Sequence, residues 1–490
     1  MSLSVPKTIA CLLVILAVEA FPQIATGAEN TGTIVGVVKK ASGEAAAGAF
    51  VKLRNPERKL TFMVVSQNQG QFQLDKLPPG KYQVIGIGGG MQSDPMTTNL
   101  ERDKPATVDL ILNKPQPDAS KALLPSDYGT ISAWNSHLPK SWPDGPVAKY
   151  VVVELALAVG ADPHDVAADS KGIGWVDERR LGIIGRFDPQ TFSYTRIRVP
   201  AGKNSSFYAN NKIPSVKEPE DFGLNAIDVD PQDRVWAIDG ANQRLVQYNP
   251  KTQEFKFFAI PDPPHKGDKP FNFNTIRFHP DGSVWGTLVS GNQIVRVDPS
   301  GKVTFFEIPS GLKAKEDAHP YGMAIDGNGK VWFSEITGKK VGKVDPVTGS
   351  VTEYDLPFPD AAPRRMTADT EGNVWLCLGI GDWAQEGRLT RIDRSTSQFT
   401  HYDPPAPKSG PTSPDVDRKH NVVWFMEMPA DKLTRFDPRT KTFSEYSLAT
   451  RHSKVRRIEV DRSHPSRIWF SGNYSQGNGY DKIGYIDVLE

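Results

Sequence analysis

Cysteine is nearly absent from this 490-residue chain, which holds only Cys11 and Cys377. With Cys11 in an N-terminal leader, Cys377 stands alone and no internal disulfide can form, so stability has to come from packing. Excess charge is missing too. Lys plus Arg number 58 against 57 Asp plus Glu, a formal net charge of +1. Such a chain has no global field for nucleic acid, an anionic membrane or an acidic partner. Long apolar runs are lacking apart from Thr8 to Phe21, which is too short to span a bilayer comfortably. Lys7 precedes that run and Thr26-Gly27-Ala28 follows it. Residues 1–28 therefore read as an export signal cleaved after Ala28, predicting a secreted or periplasmic protein; a retained N-terminal anchor is the alternative.

Turn formers are abundant, with 42 Gly and 40 Pro, as an all-β chain needs. Residues 29–112 hold short alternating segments such as TGTIVGVV, AFVKLR, QFQLDKL and KYQVIGI. Ser42-Gly43, Asn68-Gln69-Gly70 and Pro78-Pro79-Gly80 separate them. The pattern predicts a small antiparallel β-sandwich. Gly36-Val37-Val38, Gly48-Ala49-Phe50-Val51, Gly70-Gln71-Phe72 and Leu77-Pro78-Pro79-Gly80-Lys81-Tyr82 resemble the carboxypeptidase regulatory-like (transthyretin-like) domain. That resemblance implies a non-catalytic module, either a spacer or, by its carbohydrate-binding-like fold, a binder of sugars. Residues 113–148 are rich in Pro, Ser and Asp without a sustained period and read as a linker.

From 149 to 490 the chain repeats. Seven of its ten tryptophans, Trp175, Trp236, Trp285, Trp332, Trp375, Trp424 and Trp469, share one setting at spacings of 61, 49, 47, 43, 49 and 45 residues. That period belongs to four-stranded propeller blades. An acidic residue recurs upstream at Asp169, Asp230, Asp326, Asp369, Asp417 and Asp461. The last repeat stops before an outer strand, whereas residues 150–157 (YVVVELAL) match one and precede the first inner strand. A seven-bladed β-propeller closed by pairing of 150–157 with the C-terminal blade is the expected fold, and closure removes open sheet edges.

Aligning the repeats places His164, Asn225, Asn274, Tyr321, Arg364, Thr412 and Arg456 at the start of successive inner strands, around one mouth of the channel. The second strand's end, expected at the same mouth, carries Glu178, Asp239, Leu288, Glu335, Leu378, Glu427 and Gly472. A polar ring there is either solvated structure or a ligand site. Asn225, Asn274, Arg364 and Arg456 are the candidate substrate-binding residues, and the arginines suit a carboxylate or phosphate. The long segments 201–223, 258–273 and 308–320 precede inner strands on this side and read as a lid or as plain surface loops.

Pro163-His164-Asp165-Val166-Ala167, Pro320-Tyr321-Gly322-Met323-Ala324-Ile325-Asp326, Val331-Trp332-Phe333-Ser334-Glu335 and Val341-Gly342-Lys343-Val344-Asp345-Pro346 are similar to the virginiamycin B (streptogramin) lyases. Those enzymes open a cyclic depsipeptide by C–O elimination, with Mg2+ polarising the ester and a histidine as base. The resemblance implies Asp162 and Glu178 as metal ligands with His164 as base, and in blade four Glu335 as a further ligand with Tyr321 in the place of the base. The histidine that the family places one blade earlier is replaced by Arg456. Three functions follow as expectations: a metal-assisted lyase on a cyclic ester or lactone, a non-catalytic propeller binding a carbohydrate, small anion or protein, and a lactonase-like hydrolase using a set such as Glu178, Asn225, Asn274 and Glu335. A monomer without a membrane span fits all three.

Overall fold

The computed structural model describes residues 31–116, 142, 147–158, 160–200, 223–264, 273–312, 317–358, 361–379, 387–405, 410–450, 453–473 and 480–489. The expected export signal, most of the linker, nearly all of segment 201–223 and parts of segments 258–273 and 308–320 lie outside the described residues. Among the described residues there is no α-helix, and none of the short helical turns is long and apolar enough to cross a membrane.

Residues 166–447 form six antiparallel sheets of four strands, each running from an inner to an outer strand in chain order. A further set of four combines Val455–Val460, Arg467–Gly472 and Lys482–Val488 with Tyr150–Ala156. Successive inner strands touch one another, and the first, Val166–Ala168, touches the inner strand of the last set. The sheets thus form a closed ring, a β-propeller whose ends are joined by the N-terminal strand Tyr150–Ala156.

Each pair of neighbouring blades shares an apolar cluster. Trp175 packs with Val229 and Val235 of the second blade, and Trp285 with Phe333 of the fourth. Trp469 of the last blade meets Phe187 of the first edge-on at 5.9 Å between ring centroids. A Cβ on Gly174 would lie 2.5 Å from the Trp469 ring, so glycine there lets these two blades approach. Burial of these indoles supplies much of the apolar driving force.

The recurrent acidic residue has a physical role. Asp230 accepts the Trp236 indole N–H at 2.7 Å, Asp326 that of Trp332 at 2.8 Å and Asp369 that of Trp375 at 2.9 Å; Asp169 and Asp461 do the same at 3.1 Å. The other carboxylate oxygen takes backbone N–H groups of the following turn, as Asp326 does from Asn328 and Lys330. One carboxylate therefore anchors both the buried indole and the hairpin. In blade six the spacing is one residue longer. Asp417 instead holds His420, and the Trp424 indole nitrogen has no partner.

The N-terminal unit comprises two sheets. Gly32–Lys40 pairs with Gln71–Leu77 in one. Phe50–Asn55, Leu60–Val65 and Gly80–Gly88 lie together in the other. That second sheet does not end at its own edge. Leu60–Val65 pairs antiparallel with Tyr150–Ala156, whose other side pairs with Lys482–Val488. One ten-stranded sheet thus runs from the sandwich into the last blade. Leu60–Val65 is buried on both faces: Phe62 and Val64 enter the sandwich core, whereas Met63 and Val65 join the cluster between blades six and seven.

Replacing Asp326 with Ala strands a buried indole N–H and two backbone N–H groups. It should lower unfolding stability by about 2 kcal/mol, measured as a shift in urea midpoint. Asp417→Ala, which strands no indole, should cost less.

Candidate functional site

The inner strands of blades two to seven share one irregularity. Their register with the second strand slips between Asn225 and Asp228, Phe273 and Ile276, Pro320 and Met323, Pro363 and Met366, Pro411 and Pro414, and Val455 and Ile458. A bulge of this kind re-aims side chains. At or just before this slip the six strands carry Asn225 and Ala226, Asn274 and Thr275, Tyr321 and Gly322, Arg364 and Arg365, Thr412 and Ser413, and Arg456 and Arg457; His164 and Asp165 precede the unslipped first inner strand, Val166–Ala168.

The expected ring consists of the first of each pair. His164, Asn225, Asn274, Tyr321, Arg364 and Thr412 are buried and Arg456 is half-buried. Arg364 stacks over the Tyr321 ring at 5.5 Å. Asn225 donates to the Phe273 carbonyl at 3.3 Å, tying blade two to blade three. Arg456 lies close enough to His164 to disfavour its protonation.

Among the second members, the sequence shows Arg365 and Arg457 only as parts of two arginine doublets suited to an anion or to Glu427, and the structure pairs them with carboxylates of other blades. Arg365 crosses the axis to Asp165, and its guanidinium also comes within 3.3 Å of His164 Nδ1 and 3.4 Å of Thr275 Oγ1. Arg457 lies 3.6 Å from Asp165 and 3.0 Å from Asp228. Asp228 also holds Arg277 at 2.9 Å. Gly322 makes room for this plug, since a Cβ there would sit 2.6 Å from the Arg365 Cα and 2.3 Å from the Arg364 carbonyl. The available signal was the doublets Arg364-Arg365 and Arg456-Arg457 beside His164-Asp165.

His164 is held on three sides. Its Nδ1 lies 2.7 Å from Asp165 Oδ1, which selects the tautomer with Nε2 as the lone-pair nitrogen. Asp177 Oδ1 accepts the backbone N–H of both His164 and Asp165 at 2.8 Å. Thr287 and Ser334 hold the equivalent backbone of blades three and four with hydroxyls. Burial pushes the imidazole down to about 4, against the pull of Asp165 and with the help of Arg456 and Arg365. His164 is thus neutral at pH 7. Burial alone would raise Asp165, yet Arg365, His164 and Arg457 hold its carboxyl well below the usual range. Burial and the nearby Asp165 charge instead push Asp177 up.

The carboxylates expected to bind a metal are not brought together. Glu178 turns along its own blade, away from the axis, and takes Arg196 Nε at 2.8 Å, Arg196 Nη2 at 2.6 Å and the Tyr194 hydroxyl at 2.9 Å. Asp162 is neutralised by Arg179 and Arg180 and accepts from Asn473. Glu335 accepts from Ser310 at 3.1 Å and shares a hydrogen bond with Glu353 of its own outer strand. Among the described residues no three His, Cys, Asp or Glu side chains could hold a metal ion. The expected Mg2+ set of Asp162, Glu178 and Glu335, and the lactonase-like set built on Glu178, therefore do not assemble. The physical reason is the pleat. The last residue of the second strand faces the outer strands, where arginine, tyrosine or a second glutamate meets it. Cys377 is buried, as its strand position predicts, and burial pushes its thiol up.

The buried carboxyl of Glu335 is pushed up to about 8 by burial and then by Glu353. This value stands above the ordinary 4.5, so its contribution to stability is complete below that pH and is lost as pH rises through about 8. His164 works oppositely. Its value of about 4 lies below the ordinary 6.5, so its contribution is present above pH 6.5 and lost as pH falls toward 4. Urea midpoints followed across pH should show both declines. Glu335→Gln should flatten the alkaline one and leave the acid one in place.

Comparison with known proteins agrees with this architecture. Residues 33–113 match the carboxypeptidase regulatory-like domain. Residues 211–488 match the virginiamycin B lyase family, a span that begins after blade one and so leaves out His164. The virginiamycin B lyase of Nocardia farcinica (strain IFM 10152) is 36% identical over 94 residues, 19% of this chain and 31% of that enzyme, so the aligned stretch spans about a third of the relative's length. A catalytically inactive virginiamycin B lyase from Staphylococcus aureus, solved with quinupristin, superposes with a TM-score of 0.55 at 20% identity over 69% of this chain and 100% of its own. The Kuenenia stuttgartiensis hydrazine synthase follows at a TM-score of 0.50 and 11% identity over 67% of this chain and 98% of its own. At these identities the two structures speak for the fold alone. Since the family match covers more than half of its length, the chain belongs to the virginiamycin B lyase family.

Proposed function

We propose that this protein is an exported, monomeric propeller whose upper channel mouth binds a small ligand bearing a carboxylate or an ester carbonyl. The observation that carries this reading is the composition of the mouth. Arg364 and Arg456 stand in a ring with His164, Asn225, Asn274, Tyr321 and Thr412, and the ring contains no carboxylate. Hydrogen-bond donors predominate over a plug whose own charges are internally paired. An arriving anion meets two guanidiniums in a site of low dielectric, where charge-assisted hydrogen bonds are strong.

Binding without chemistry is the reading that the site supports best. The Mg2+ expected from the family has no assembled ligand set here, so no step is routed through it. A histidine whose conjugate acid sits near 4 is a weak base for a C–H proton.

One observation favours a second reading, lyase chemistry. The 2.7 Å contact of Asp165 with His164 Nδ1 orients Nε2 for proton abstraction. An ester carboxylate bound beside Arg364 and Arg456 would then be the leaving group. His164 would take a proton from the carbon next to the alkyl C–O bond, a C=C bond would form, the C–O bond would break and the freed carboxylate would stay on the arginines.

Titration with glutarate at pH 7 tests the binding site. Arg364→Ala and Arg456→Ala are each expected to weaken binding by about tenfold, the worth of one charge-assisted contact; equal affinity in both variants would contradict the assignment. Incubation with quinupristin separates the two readings by mass. Unchanged ligand fits binding alone. A ring-opened product of identical mass that disappears in His164→Ala fits elimination, and a product heavier by one water contradicts both.

A further inference from the structure

Between the sandwich and blades one and seven lies a cleft of about 1300 Å3, and six consecutive residues, Gln71 to Lys76, line it. A strand shows one face only at every second residue, so an unbroken run along a cavity marks an edge. Gln71–Leu77 is such an edge: among the described residues it pairs with Gly32–Lys40 alone. The direction of its main-chain groups follows from that partner. The Val35 C=O accepts from the Val108 N–H at 2.9 Å, and the Val37 N–H donates to Asp109 at 3.0 Å. Both contacts lie on the side of Gly32–Lys40 where Ala106–Thr107 and Leu110–Leu112 pair with it. Val35 stands opposite Gln73 and Val37 opposite Gln71. The N–H and C=O of one strand residue point the same way, so these are the non-hydrogen-bonded pairs of the antiparallel ladder. Gln71 and Gln73 therefore turn their main-chain groups to the cleft. Gln67 agrees with that direction, since its N–H donates to the Gln71 C=O at 2.7 Å. Gln73 has no second strand beside it among the described residues.

We propose that this cleft binds an extended peptide segment of another protein, which adds to Gln71–Leu77 as an antiparallel strand. Open main-chain groups at strand spacing match a polypeptide backbone, and the six lined residues offer it about 20 Å of edge. The cleft is continuous with a junction of the same kind. The other sheet of the sandwich already takes Tyr150–Ala156 onto Leu60–Val65, and Val151 of that strand lines the cleft. Side chains of the added strand alternate. One set turns inward to the half-buried Val151 and Phe192 and has to be apolar. The other set shares the outward face of Gln71 and Gln73. Around it the exposed Lys76, Lys149 and Lys171 outnumber the exposed Asp75 and Asp109, which suits hydroxyl or acidic residues. No residue of the upper mouth or of the axial plug lines this cleft.

The test is fluorescence anisotropy of the whole protein with a labelled peptide, Thr-Val-Glu-Val-Thr-Val-Glu-Val-Thr. N-methylation of its Thr and Glu amides removes the donors that face Gln71 and Gln73. N-methylation of its Val amides alters only the edge turned away. The first change should weaken binding at least tenfold and the second by no more than about threefold. Gln73→Pro deletes an outward N–H and spares the ladder to Gly32–Lys40, as proline can on an edge strand. It should cost at least tenfold, whereas Gln73→Ala, which keeps the main chain, should leave affinity unchanged. The comparison of the two methylated peptides decides the matter even if the proline variant does not fold. A peptide that fails to bind, or that loses equally from both methylations, would overturn the proposal. So would amide exchange at Gln73 in the free protein as slow as that of the inner strands, because another part of the chain would then already hold the edge.

Discussion

The structure depends on one strand being paired on both sides. Tyr150–Ala156 hydrogen-bonds to Lys482–Val488 across one edge and to Leu60–Val65 across the other. A propeller ring is only as stable as its closure, since an opened blade exposes unpaired backbone and severs an apolar interface. Here the closing strand has no free edge. Its side chains add to the join: the buried Glu154 accepts from the Thr450 N–H at 3.1 Å and from the Tyr480 hydroxyl at 2.9 Å, and the oxygen of that hydroxyl lies 3.1 Å from the Thr61 hydroxyl of the sandwich. The sandwich is therefore continuous with the last blade, and the two units share one hydrophobic cluster.

The ring sets the chemistry of the axis. The inner strands of neighbouring blades meet there, and those of blades two to seven carry a bulge near their start. Charges brought that close have to cancel, and Asp165 and Asp228 do so against Arg365, Arg457 and Arg277. Desolvation makes such a network costly to break, because removal of one partner leaves a buried charge alone. Beyond this plug Arg457 and Arg462 also pair with Glu459. Family membership gives the fold and its ancestry. Asp162, Glu178 and Glu335 each have polar partners in their own or a neighbouring blade.

The sequence made the repeat legible because tryptophan recurs after an aspartate six residues upstream in four blades and seven or eight upstream in the last two. Four of the Asp–indole hydrogen bonds span six residues and that of Asp461 spans eight, whereas Asp417 makes none. Ring closure was legible from the missing last strand and its aromatic-led copy at 150–157. The ring of first axial residues was also readable, since register in a repeat propagates from one blade to the next. Two things were not. Side-chain direction at the end of the second strand depends on the pleat and on what the outer strand offers, such as Arg196 opposite Glu178, and spacing within one strand carries no such information. Arg365 and Arg457 lie in the bulged stretches of their strands and reach Asp165 of blade one, and a register slip leaves no mark in composition. Continuity of the sandwich sheet with the propeller was hidden for a related reason: nothing in Leu60–Val65 names its partner across nearly ninety residues of chain.

Amide hydrogen exchange of the segment 150–156, followed by mass spectrometry on the whole protein, tests this account most directly. If the doubly paired strand holds the ring, its amides exchange only through global unfolding, at the same rate as segments 60–65 and 482–488 and with the same response to denaturant. Exchange of 150–156 well ahead of the inner strands, or protection of 482–488 without it, would contradict the account.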